Sequence, residues 1–171
     1  DIFELTYLFE MGNRHDKALG TAVDYLEYLG TSDMTPEEVK AQFHQLGCSF
    51  YVTAGAERTR ISLSGLNENM PEAVALLEKL LADAQVNKPA FNGMVNNILK
   101  SRANAKLNQS QNFSRLTAYA QWGPQNDATN LLSAKELMGM NPQDLVDRIH
   151  NLCTYKHRII YYGPSNENDV L

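Results

Sequence analysis

Phe3, Leu5, Tyr7 and Phe9 alternate with Glu4, Thr6, Leu8 and Glu10, a period of two that predicts a strand with one strongly apolar face. Gly12-Asn13 ends it, and the period then lengthens. From Asp16 to Thr31 the apolar residues Leu19, Ala22, Val23, Leu26 and Leu29 recur at helical spacing, and Gly30 reads as the residue just past the helix end. Thr35-Pro36-Glu37-Glu38 starts a second helix, with Thr35 as N-cap, Pro36 in the first turn and Glu38 completing a capping box. Val39, Phe43 and Leu46 are its inward positions, and Gly47 stops it. Two strands follow, Cys48 to Thr53 and Arg58 to Leu66, turning at Ala54-Gly55-Ala56-Glu57.

Pro71 opens a helix with the stripe Ala73, Val74, Leu77, Leu80 and Leu81. After Asn87-Lys88-Pro89 a longer one runs to about Asn108, with Phe91, Met94, Val95, Ile98 and Leu99 inward. The Asn-, Gln- and Ser-rich span from Asn108 to Asn130 is less regular, with a short helix expected at Phe113 to Gln121. Ser133-x-x-Glu136 is another capping box, and Asn141-Pro142-Gln143-Asp144 starts a helix with the stripe Leu145, Val146, Ile149 and Leu152. Tyr155 to Tyr162 reads as a closing strand. About four strands and six helices, with helices gathered between strands far apart in sequence, predict an α+β fold. Its mostly antiparallel sheet carries the helices on one face, and the first and last strands both join it.

Hydrophobic content of 43% and charged content of 20% are those of a globular chain. Fifteen Lys and Arg against twenty Asp and Glu give a net charge of −5, with the cations dispersed along the chain and no basic face for nucleic acid. No apolar run reaches the roughly 20 residues that span a bilayer. Cys48 and Cys153 read as two buried free thiols. His44 with Cys48 and His150 with Cys153 have spacings seen in metal sites, but Gly47 interrupts the first helix and neither pair has further ligands nearby. No G-x-S-x-G elbow and no phosphate-binding glycine loop is present. The chain opens directly inside a strand, without an initiator Met or leader, so residues 1–171 are expected to be one domain cut from a longer polypeptide.

Asp24, Glu27 and Tyr28 stand at i, i+3 and i+4, sharing the helix face turned away from the apolar stripe. Two carboxylates there suit a hard cation such as Mg²⁺ or Ca²⁺ in principle, but on an exposed helix face they read as solvated. The pentad Asp24-Tyr25-Leu26-Glu27-Tyr28 resembles the zinc-binding H-x-x-E-H with both histidines replaced and the glutamate kept. Around it, Phe3 to Gly12, the hairpin Leu46 to Phe50 with Ile61 to Asn69, the helix Met70 to Ala84, Ser133 to Leu137, and Arg158 to Pro164 follow the element order of M16 (pitrilysin/insulinase-like) peptidases. The chain is thus similar to a degenerate, non-catalytic M16 domain of the long bacterial type.

That resemblance implies the family's third ligand, a glutamate, on the helix from Ala90 to Asn108, which contains no Asp or Glu. It therefore implies no catalytic residue, metal or cofactor in this domain, and zinc in an active domain of the parent protein. The implied role is to help form a chamber enclosing peptide or unfolded-protein substrates for proteolysis, beside other M16 domains of the same chain or an active partner chain, in the bacterial periplasm or envelope. The rival is a structural module similar to the core subunits of the bc1 complex, with no part in proteolysis. Asp24 and Tyr28 are expected side by side, partnered by water or by a donor such as Lys100 or Arg102.

Overall fold

In the computed structural model, which describes residues 1–124 and 126–166, the first strand lies inside the sheet. Four antiparallel strands, β1 (Ile2–Phe9), β2 (Cys48–Ala54), β3 (Thr59–Leu66) and β4 (His157–Tyr162), are ordered β2-β3-β1-β4. Register puts Leu5 opposite Leu63 and Tyr161, and Tyr7 opposite Ile61 and Ile159. The period-2 face of Phe3, Leu5, Tyr7 and Phe9 is buried as its alternation requires. The other face is mixed, with the Thr6 and Ser62 hydroxyls 2.8 Å apart across the pair and Ile160 and Tyr162 beside them. Glu10 binds the strand ends together through Arg58 (3.4 Å) and Arg158 (3.1 Å).

Among the described residues there are seven α-helices, in keeping with the about six expected: α1 (Leu19–Leu26), α2 (Pro36–Gln45), α3 (Met70–Asp83), α4 (Lys88–Ala105), α5 (Gln109–Trp122), α6 (Ala134–Gly139) and α7 (Pro142–His150). The capping boxes at Thr35–Glu38 and Ser133–Glu136 both form, and Asn87, Asn108 and Asn141 cap α4, α5 and α7. Gly47, at φ 61, ends α2 in the left-handed conformation that glycine alone adopts without strain.

The core lies between the sheet's apolar face and these helices: Phe3, Phe9, Ile61 and Leu63 from strands meet Leu26, Leu77, Leu80, Leu137, Leu145 and Ile149. α1 sits against α7 and β2, an edge strand of the sheet. Among the described residues no helix is long and apolar enough to cross a membrane. Both cysteines are free thiols, but only Cys48 is buried. Cys153, expected inside, is exposed, because the last turn after α7 carries Leu152 inward and leaves its neighbour outside.

Candidate functional site

Everything about the candidate site follows from how α1 is anchored. Asp16 Oδ1 accepts from the Ala18 N–H at 2.9 Å while Oδ2 accepts from Arg148 Nε of α7 at 2.7 Å, so the helix start is tied to the helix beside it. Inward go Leu19, Ala22, Val23, Tyr25 and Leu26. Tyr25 is fully buried, packs edge-on against Phe91 of α4 with ring centroids 5.8 Å apart, and its hydroxyl both donates to Asn87 O (2.7 Å) and accepts from Asn87 N (2.9 Å). One side chain thereby sets the distance between α1 and the start of α4.

The helix is shorter than its apolar spacing predicted. It ends at Leu26, and Tyr28 and Leu29 donate back to Tyr25 O (2.9 Å) and Leu26 O (3.2 Å) in tightened i→i−3 turns. Gly30 is not left-handed. Its O accepts from Gln85 N at 2.9 Å, and an added Cβ would strike Met34 O, so the glycine answers close backbone packing.

Asp24, Glu27 and Tyr28 nevertheless share one open groove of about 450 Å³, whose opposite wall is Met94, Asn97, Ile98, Ser101 and Arg102 of α4. The α1 residues and Arg102 were expected from the sequence; the rest of the opposite wall follows α4's helical spacing at 94, 97, 98 and 101. The Asp24 carboxyl is held above the ordinary Asp range, first by desolvation and then by the Glu27 charge, although its side chain still reaches solvent. Of the two cations offered beside water as its partner, Arg102 reaches the groove but donates to Leu132 O, and Lys100 is not part of the lining. Lys40 instead places its ammonium 5.7 Å from the Tyr28 ring centroid.

Zinc is held by imidazole, thiolate or carboxylate in a closed set of three or four. This groove offers two carboxylates from one wall and an amide, a hydroxyl and a guanidinium from the other, a donor set that does not fit zinc. Among the described residues no three His, Cys, Asp or Glu side chains are grouped to hold a metal ion. His44 and Cys48 diverge, the first exposed and the second buried, and His150 Nε2 lies 3.1 Å from Ala84 O.

No protein-family model matches the sequence, and no curated protein matches it either. Solved structures do. A peptidase M16 inactive domain from Pseudomonas fluorescens superposes with a TM-score of 0.81 at 18% identity, covering 99% of this chain and 43% of that one. The fold is that of an M16 peptidase domain. The periplasmic protease PqqL from Escherichia coli matches over 99% of the present chain and 19% of its own, at 11% identity and TM-score 0.78. A point mutant of the ferredoxin protease FusC, in complex with Arabidopsis ferredoxin, matches at 12% identity and TM-score 0.80 over the same shares. The chain thus spans less than half the length of each of these M16-like structures.

Proposed function

We propose that this chain is a non-catalytic domain of an M16-type zinc metallopeptidase, forming part of the wall of a chamber that encloses peptides while a separate active domain cuts them. The observation that carries the proposal is the groove between α1 and α4. By the resemblance of the Asp24–Tyr28 pentad to H-x-x-E-H, its walls correspond to the family's metal-binding and third-ligand helices, with Asp24, Tyr28 and an acid-free α4 in place of the ligands. Glu27 alone does not activate water, because without a metal the pKa of that water stays near 15.7 in place of about 7.

Retention of substrate then falls to the sheet and the surface. β2 and β4 each have one outer edge on which an extended peptide can add as a strand, held by backbone hydrogen bonds that tolerate varied side chains. The protease neighbour seen with a ferredoxin supports protein substrates for this fold.

The test is incubation of the chain with a reduced, carboxymethylated protein and added zinc, followed by anisotropy for binding and mass spectrometry for new termini. Binding without cleavage is the expected result. Chelator-sensitive cleavage contradicts the non-catalytic reading, and absence of binding favours a purely structural module.

A further inference from the structure

α5 shows its apolar side to solvent. At about 100° per residue, Trp122, Tyr119, Leu116, Ala120 and Phe113 fall on one continuous half of the helix. Phe113, Leu116, Tyr119 and Trp122 are 69%, 64%, 53% and 73% exposed. No residue of α5 is buried. The one half-buried residue of α5, Ala118, lies outside that half, and the aromatic side faces solvent. A surface helix that buries nothing and exposes four large apolar side chains is an interaction surface.

Charge says what it fits. Between Asp83 and Asp127 the chain has no acidic residue but carries Lys88, Lys100, Arg102, Lys106 and Arg115, against a net charge of −5 for the whole. Among the described residues none of these five cations forms an ion pair, whereas Arg14, Arg58, Lys79, Arg148 and Arg158 all do. Arg115 borders the aromatic half of α5 beside Trp122. Lys106 abuts its first turn, since its carbonyl accepts from Asn112 Nδ2 at 2.7 Å. Seating a folded domain without matching carboxylates here would bury unpaired cations at a cost. A polyanionic nucleic acid would meet the repulsion of the rest of the chain.

We infer that the α4–α5 shoulder binds acidic, unfolded polypeptide segments carrying apolar side chains, the apolar groups lying on Phe113, Leu116, Tyr119 and Trp122 and the carboxylates pairing with Lys106 and Arg115. This rests on the peptide-capture reading above and names the class of segment captured. The acid-free span was visible in the sequence, but only the fold brings it alongside an outward aromatic face.

Two dye-labelled, Trp-free 15-residue peptides test it, one with Glu and Asp among Leu and Phe, the other identical but with every acid replaced by Lys. Trp122 is the single tryptophan, so its emission reports docking at this face directly. The acidic peptide should bind at least about tenfold more tightly at roughly 0.05 M salt, with the preference shrinking toward 0.5 M, and should shift Trp122 emission to the blue. The Lys106→Glu/Arg115→Glu double variant, with an unchanged circular dichroism spectrum, should lose about tenfold in that affinity. Equal binding of both peptides overturns the charge selectivity and leaves peptide capture standing. Binding of neither overturns both. Peptide binding without a Trp122 response places capture elsewhere, and tighter binding of a 15-nucleotide oligo-dT assigns the face to nucleic acid; either result overturns the inference.

Discussion

Tyr25 occupies the second position of the degenerate pentad, and its hydroxyl sits between the N–H and C=O of Asn87. Tyr25→Phe should cost about 1–3 kcal/mol, since it strands a buried donor and acceptor, and urea denaturation would show it as a lower midpoint at constant slope. Asp24 is the opposite case. Its folded pKa is raised, so the folded state favours the proton, and the stability this gives is present below the ordinary Asp value and lost as pH rises through the folded value. Asp24→Asn should therefore stabilise the chain at pH 7 by about a few tenths of a kcal/mol, screened as the side chain is, and do nothing near pH 3. A thermal-melt series across pH checks both. The spacing of Asp24, Glu27 and Tyr28 announced a shared face from the sequence. Tyr25's role was hidden, because its partner lies 62 residues away and no periodicity records a hydroxyl's contact.

At the scale of elements, starts were legible and ends were not. Thr35-Pro36-Glu37-Glu38 predicts the first turn of α2 from chemistry contained in four residues, and the structure forms both arms of that box, Glu38 N–H to Thr35 Oγ1 at 3.2 Å and Thr35 N–H to Glu38 Oε2 at 2.7 Å. Thr35→Ala should cost about 1 kcal/mol in a denaturant titration. Glu38 and Glu136 are held below the usual carboxylate range by these caps, so what they add is present above the unfolded value near 4 and lost as pH falls through their folded values. Thr35→Ala should accordingly flatten the acid limb of the stability profile. α1 ended early because Gly30 must meet Gln85 across the fold, a tertiary demand absent from the local pattern. α5 ran longer than expected, Gln109–Trp122 in place of Phe113 to Gln121, because Asn108 caps it. Its Asn and Gln content had read as irregular chain.

On the scale of the whole molecule, the sheet order sets the first and last strands side by side, and that both join one sheet was legible. That β4 remains exposed at Ile159, Ile160 and Tyr162 was not, because alternation predicts which face points inward but not whether anything covers it. We propose that the M16 domain fold is kept here with its metal-binding residues replaced. Calorimetric titration of zinc into the chelator-treated chain tests it most directly. The account predicts no stoichiometric site, because α4 offers Asn97, Ser101 and Arg102 where a carboxylate is needed. One tightly held zinc per chain, lost on Asp24→Ala or Glu27→Ala, would contradict it.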